Sequence, residues 1–183
     1  MYFIGVDLGQ RQDFTAVAVV EKAAMGPMLV RHLERMALGM PYTKVVARVC
    51  EITRHPKLAG ESRLVVDATG VGAPVVELLR AAGLAGRLTA VTITGGERSH
   101  GRSEEWHVPR KELLAGVEVL LDSRELRISG RLAETERLVR ELTSLRLRGE
   151  SGEHDDLAVA LGLACWRAKK GRSGFGTARL PGI

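Results

Sequence analysis

The sequence has little from which to build a disulfide or zinc framework, because its 183 residues include only two cysteines. Cys50 and Cys165 both fall in predicted helices and lack metal-type spacing, so we expect reduced thiols in a cytoplasmic protein. No signal peptide is recognisable, and no apolar run reaches the ~20 residues that a membrane-spanning helix needs. We therefore expect a soluble intracellular protein with no membrane partner.

Aromatic residues are also scarce, at 4% of the chain. The core must then consist mainly of Val, Leu, Ala and Ile, which favours layers of helices on a sheet. The length suits one domain with a core of its own. Basic residues outnumber acidic ones and give a formal charge of +5, which indicates either a polyanionic partner such as nucleic acid or a basic surface with no partner.

The first part of the chain predicts three strands joined by short connections. Tyr2 to Val6 is almost wholly apolar and is followed at once by Asp7, so a buried strand should deliver this carboxylate to the edge of a sheet. Phe14 to Glu21 and Met28 to Leu38 predict the second and third strands. Together they form an antiparallel meander.

The parallel part of the sheet is predicted to follow. Thr43 to His55 has apolar residues at helical spacing and leads to a short apolar strand, Leu64 to Asp67. By the right-handed rule for strand–helix–strand units, this strand lies parallel to the first one. Asp67 then shares an edge with Asp7. A further helix closed by a glycine precedes the fifth strand, Leu88 to Thr94.

The second half of the chain is predicted to be mainly helical. Gly95 to Pro109 loses all periodicity and predicts a long loop. Helices are predicted over Arg110 to Asp122 and Leu132 to Leu145, with Leu126 to Ile128 as an edge segment between them. A last helix runs from position 154 to 168 and closes a domain of residues 1–168, followed by a flexible basic tail, 169–183.

Four carboxylates are the candidate catalytic residues and metal ligands: Asp7, Asp67, Asp155 and Asp156. Carboxylates brought together repel one another unless a cation lies between them, and Mg²⁺ and Mn²⁺ prefer such oxygen ligands. Two such ions about 4 Å apart can activate a water and stabilise the leaving oxygen of a phosphodiester. Each acid taken singly could instead be a turn residue or a helix cap. Their combination favours a metal site.

Other candidate residues have more than one interpretation. Asp13 could touch the site, although turn chemistry is the simpler interpretation, and His154 could cap the last helix, support the metal ligands or transfer a proton. Trp106 or His107 could stack on a base, although Trp106 could also simply close the loop. The basic residues that could contact a phosphate backbone are Arg98, Arg102, Arg110, Lys111, Arg146 and Arg148.

This order of elements resembles the ribonuclease H-like fold, in which metal ligands come from the first strand, the fourth strand and the last helix. The implied fold class is α/β, with a mixed five-stranded sheet of three antiparallel and then parallel strands, flanked by helices. Within that superfamily, four local motifs resemble the nuclease domain of the large terminase subunits of tailed phages. They are Ile4 to Gln10 with Asp13 to Ala16, Val66 to Gly72, Val108 to Leu113, and His154 to Leu161.

The resemblance implies a metal-dependent endonuclease that cuts double-stranded DNA with two Mg²⁺ or Mn²⁺ ions, as in viral genome packaging. Asp7, Asp67 and one or both of Asp155 and Asp156 would be the ligands. The implied partners are double-stranded DNA, a separate packaging ATPase and a portal, for a phage or prophage protein in a bacterial cytoplasm. The sequence departs from the family in having no Gly-x-x-x-x-Gly-Lys-Ser/Thr phosphate loop, so it cannot translocate DNA by itself.

Three alternatives stay open. A Holliday-junction resolvase has the same fold, although such enzymes typically carry Glu at the position of Asp67. The stretch Ile4 to Gly9 also resembles the first phosphate loop of sugar kinases and heat-shock-protein ATPases, whose two-domain folds need more than 183 residues. A degenerate nuclease fold could also serve as a non-catalytic DNA-binding or assembly module.

Overall fold

A mixed eight-stranded sheet forms the centre of the computed structural model, which describes residues 1–9, 13–70, 72–148 and 155–170. The strands are β1 (Tyr2–Asp7), β2 (Ala16–Glu21), β3 (Met28–Arg35), β4 (Ser62–Asp67), β5 (Leu88–Thr94), β6 (His100–Arg102), β7 (Glu105–Pro109) and β8 (Leu126–Ile128). The α-helices are α1 (Tyr42–Arg54), α2 (Gly72–Leu79), α3 (Arg110–Asp122), α4 (Thr135–Arg148) and α5 (Asp156–Lys170). None of these helices is long and apolar enough to cross a bilayer.

The strands lie in the order β6-β7-β5-β4-β1-β2-β3-β8. As predicted, β1, β2 and β3 form an antiparallel meander, and β4 lies parallel to β1. The parallel part continues through β5, and the predicted edge segment β8 pairs with β3. The ribonuclease H-like order of antiparallel and then parallel strands is therefore confirmed.

The predicted loop from Gly95 to Pro109 is wrong: it contains β6 and β7, which together with the edge strand β8 give the sheet eight strands where the sequence predicts five. β7 pairs parallel with β5, and β6 pairs antiparallel with β7. Only Val108 and Pro109 of this hairpin are buried, so the sequence shows no alternation of apolar and polar residues. Pairing with the neighbouring strand, a long-range interaction, determines the structure here.

Several element boundaries differ from the predicted ones by two or three residues. The third strand ends at Arg35, and α4 begins and ends three residues later than predicted. The last helix continues to Lys170, while Asp155 precedes its first residue and accepts a hydrogen bond from the backbone of Val159 at 3.0 Å. Most of the predicted tail, 171–183, lies outside the described residues, as does His154.

Helices cover both faces of the sheet. α1 and α2 pack on one face, where the core includes Ile4 and Val66. α3, α4 and α5 pack on the other face. Twelve residues of α5 are buried, as expected for a helix that is apolar on all sides.

Gly5 allows α5 to lie directly against β1. A Cβ atom at this position would lie only 1.9 Å from the carbonyl oxygen of Ala160. Because glycine has no side chain, the backbones of strand and helix can approach at this point. The start of α5 is thereby held near the carboxyl end of β1.

Candidate active site

The parallel pairing of β1 and β4 brings two carboxylates to one edge of the sheet. Val6 lies opposite Val66 in the register, so Asp7 and Asp67 end neighbouring strands at the same level. This confirms the predicted placement of the two residues. Asp67 is held in position by Thr69, whose backbone N–H and hydroxyl donate to Oδ1 at 2.8 and 2.5 Å.

Alternation along the strands directs these side chains towards α5. Successive residues of a strand point to opposite faces, and Phe3 and Gly5 both face the α5 side. Asp7 therefore faces the same side. In the same way, Val65 packs against α5, which places Asp67 on that face.

The first turn of α5 brings the other two predicted acids. Asp156 forms an ion pair with Arg35 at the end of β3, with Nη2 and Oδ2 3.1 Å apart and both side chains only 8% exposed. Asp155 forms an ion pair with Arg110, the first residue of α3. Each acid of the pair is thus matched by an arginine from a different element.

The other three acids influence the pKa of Asp7. Burial raises the pKa of Asp7 well above its ordinary value, and the charges of Asp67, Asp156 and Asp155 raise it further, while Arg110 opposes them. Burial also raises the pKa of Asp67, although hydrogen bonds from Thr69 and Asp7 partly offset this effect. The pair consequently retains a proton to higher pH than isolated carboxyl groups do.

The donor set fits a hard divalent cation, because all four side chains offer carboxylate oxygens at the edge of the sheet. In residues 1–9, 13–70, 72–148 and 155–170, however, no three His, Cys, Asp or Glu side chains are already arranged as a metal site. The acids are not arranged as a metal site partly because Arg35 and Arg110 already bind carboxylate oxygens of Asp156 and Asp155. Cation binding at this edge would require these acids to rearrange.

Arg35 and Glu141 are residues of the site region that the sequence did not reveal as such. Glu141 on α4 is 7% exposed and accepts a hydrogen bond from the backbone of Ala158 at 2.9 Å, which ties α4 to the first turn of α5. Burial raises the pKa of Glu141 to about 7. One signal was present, since Glu141 interrupts the apolar stripe of α4 formed by Leu138 and Leu142. No pattern in the sequence distinguished Arg35.

The predicted DNA-binding residues divide into two groups. Arg98 is exposed in the connection that follows β5, and Lys111 on α3 forms an ion pair with Glu97 at 2.5 Å. Both lie at the edge that carries the acids, because the parallel strands β5 and β7 end there. Arg110 also lies there but is paired with Asp155.

Arg102 and Trp106 lie farther along the β6–β7 hairpin. Arg102 is exposed at the end of β6. The Trp106 ring packs against Trp166 and beneath Lys170, whose Nζ lies 3.5 Å from the ring centroid. This face of Trp106 is therefore covered within the chain, while the exposed His107 stacks on His100.

Asp13 is exposed at the turn that precedes β2. Its backbone carbonyl packs so closely on Gly9 that a Cβ on that glycine would lie 2.2 Å away. This contact agrees with a role in the turn, while a role in the site stays a prediction. The side chains of Arg146 and Arg148 lie outside the described part of the chain.

Comparison with known proteins defines the class of fold. No protein-family model and no curated protein sequence matches the chain. The large terminase nuclease from thermophilic phage G20c superposes with a TM-score of 0.59 and 21% identity, over 90% of this chain and 80% of that one. The nuclease domain of the large terminase from bacteriophage SPP1, with bound Mn, gives 0.57 and 13%, over 91% and 86%.

RuvC from Thermus thermophilus gives a TM-score of 0.52 and 16% identity, over 96% of this chain and 98% of that one. The chain therefore has the α/β fold of the ribonuclease H-like nucleases. Among proteins of that fold, its similarity to several terminase nuclease domains agrees with the resemblance predicted from the motifs.

Proposed function

We propose that this chain is a divalent-metal-dependent endonuclease that hydrolyses the phosphodiester bonds of double-stranded DNA by a two-metal mechanism, as in viral genome packaging. The observation that carries the proposal is the convergence of four acids at one edge of the sheet, where β1 and β4 end beside the start of α5. The fold supports it, because structures with the same fold include terminase nuclease domains, one of them with bound Mn.

Asp7 and Asp67 would hold the cations between the two strand ends, together with one or both of Asp155 and Asp156. Bound Mg²⁺ or Mn²⁺ would supply Lewis acidity towards the phosphate and a lowered pKa for a water nucleophile. Thr69 fixes the carboxylate of Asp67 through one oxygen, Oδ1, and so orients the other oxygen. Because burial and the neighbouring acids raise the pKa of Asp7, cation binding would compete with protonation of this carboxyl group and should strengthen as pH rises.

The remaining parts of the proposal concern the DNA and the protein partners. Arg98 and Lys111 lie at the edge of the sheet that carries the acids and would contact the phosphate backbone on either side of the cleaved bond. Arg102 and Trp106 are farther from the acids and would contact DNA only beyond that point. A separate packaging ATPase and a portal would deliver the DNA.

A resolvase-like nuclease is the second candidate function. One observation favours it: the superposition on T. thermophilus RuvC covers 96% of this chain and 98% of that one. Both candidates use the same acids. They differ in the DNA substrate, linear or supercoiled duplex in one case and a four-way junction in the other.

Cleavage of supercoiled plasmid in Mg²⁺, Mn²⁺ or EDTA tests the proposal. We expect nicking and linearisation with either metal and at least about a hundredfold loss in Asp7→Ala or Asp67→Asn, since even groups that only support ligands contribute 10- to 100-fold. Both variants should stay folded, because each removes a buried carboxylate that burial disfavours. Glu61→Gln, an exposed acid before β4 at the opposite edge, should cleave like the wild type.

Other outcomes of this assay would change either the residues assigned to the site or the function. Cleavage that persists in Asp67→Asn would remove this residue from the site. Cleavage of a four-way junction without cleavage of plasmid would favour the resolvase. A folded wild-type protein that cleaves neither substrate with either metal would refute catalysis by the chain alone, and DNA binding in that case would identify a non-catalytic module.

A further inference from the structure

The two acids at the start of α5 are paired with arginines in very different surroundings. Asp156 and Arg35 are both 8% exposed, and the Arg35 guanidinium also lies 3.4 Å from the centroid of the Phe14 ring. Asp155 is nearly as buried, at 12%, but the side chain of its partner Arg110 is 35% exposed. One pair is therefore enclosed, and the other has a partner that borders on solvent.

We propose that Arg110 is an exchangeable counter-cation. It neutralises Asp155 in the metal-free protein and leaves this carboxylate when divalent ions enter, whereas Arg35 stays on Asp156 throughout. The inference rests on the proposed function, because it concerns how the proposed metal site is filled. It makes Arg110 a positioning residue that controls access to Asp155.

The difference in burial determines which arginine can leave. If Arg35 left Asp156, it would have to leave the ring of Phe14 as well, and the Asp156 carboxylate would lose its guanidinium in a site that is 8% exposed. Separation of a buried ion pair is strongly unfavourable, because each isolated charge is then poorly solvated. Arg110 is the first residue of α3, and its side chain, which is 35% exposed, borders on water and can turn into it on leaving Asp155.

The charge of the cluster indicates why one arginine must leave. With all four carboxylates ionised, as cation binding requires, the four acids and the two guanidinium groups have a formal net charge of −2, which one divalent ion balances. With a second divalent ion the formal charge of this partly buried site would be +2, and departure of Arg110 would lower it to +1. Arg110 lies at the edge of the sheet where DNA would arrive. After its release from Asp155, it can therefore contact a phosphate of the backbone.

Equilibrium binding of Mn²⁺, measured by calorimetry and by the electron paramagnetic resonance signal of free Mn²⁺, tests the proposal without DNA or cleavage. Arg110→Gln should bind Mn²⁺ about tenfold more tightly than the wild type, because an adjacent cation no longer competes for Asp155. Arg110→Lys keeps the charge and should bind like the wild type. Arg54→Gln, an exposed arginine at the end of α1, controls for net charge and should change binding less than about twofold.

Replacing both members of each ion pair distinguishes the roles of the two acids, because no isolated buried charge is left behind. Arg35→Gln with Asp156→Asn should bind Mn²⁺ within about threefold of the wild type, whereas Arg110→Gln with Asp155→Asn should lose at least about tenfold. The proposal is overturned if Arg110→Gln binds no more tightly than Arg54→Gln, or if the two double variants behave in the opposite way. A folded wild-type protein that binds no Mn²⁺ would instead refute the proposed function, and this inference with it.

Discussion

Replacement of Gly5 by alanine tests the contact that holds α5 beside the acids. The new Cβ would lie 1.9 Å from the carbonyl oxygen of Ala160 and 2.8 Å from the amide nitrogen of Ala164. Both are backbone atoms, so no rotamer change can relieve the overlap. The strand and helix would have to separate by about 1.5 Å to bring the shorter distance to an ordinary carbon contact of about 3.4 Å.

Overpacking of a core costs about 1–3 kcal/mol, and we expect Gly5→Ala to reach about 3 kcal/mol because the clash is with backbone. With a urea dependence of about 2 kcal/mol per M, the unfolding midpoint should fall by about 1.5 M. The same displacement moves Asp155 and Asp156 away from Asp7. Because misplacement by about 1 Å can cost a hundredfold in rate, cleavage of plasmid should fall by about that factor.

Gly116→Ala is the matched control, because it adds the same methyl group at a position inside α3 where nothing lies within 4 Å of a Cβ. Alanine is the better helix former, so this variant should be more stable than the wild type by about 0.5–1 kcal/mol. Urea unfolding followed by circular dichroism measures both changes. If Gly5→Ala unfolds at or above the wild-type midpoint, α5 does not lie against β1 as described, and the reasoning fails.

Two further predictions concern pH and salt. Burial raises the pKa of Glu141 to about 7 in the folded protein, against 4.5 ordinarily. Between these two pH values the native state holds a proton that the unfolded chain has released. The free energy of unfolding should therefore fall as pH rises from about 4.5 to 7. Glu141→Gln should therefore be about as stable as the wild type at pH 4.5 and more stable by roughly 2–3 kcal/mol at pH 8 in thermal unfolding; an equal pH dependence in both proteins would contradict this. If Arg98 and Arg102 guide DNA, the double variant Arg98→Ala with Arg102→Ala should bind DNA more weakly. The slope of log affinity against log salt concentration should then fall by up to about 2, whereas an unchanged slope would exclude these contacts.

The strand ends of the site could be predicted because their signals are local. Asp7 and Asp67 each follow a short apolar run directly, and the handedness of the strand–helix–strand unit then requires that they share an edge. No long-range knowledge is needed beyond the topology itself.

The hairpin that contains Trp106 could not be predicted in the same way. Its residues are mostly exposed, so their order carries no periodic signal, and β7 exists because β5 offers an unpaired edge. The prediction of Trp106 as a base-stacking residue depended on an exposed loop. In the structure one face of the indole packs against Trp166 and beneath Lys170, and stacking of this residue on a base stays a prediction.

The arginines that pair with the acids could be predicted from the sequence even less. Arg35 and Asp156 are 121 residues apart in sequence, and Arg110 and Asp155 are 45 apart, so neither pairing follows from spacing. The sequence indicates only that clustered acids require positive charge. The structure shows that the chain supplies part of this charge itself, which allows the acids to pack together in the folded protein before any metal is bound. Under the proposed exchange of cations, the affinity of such a site for metal would depend on how readily Arg110 leaves as much as on the geometry of the acids.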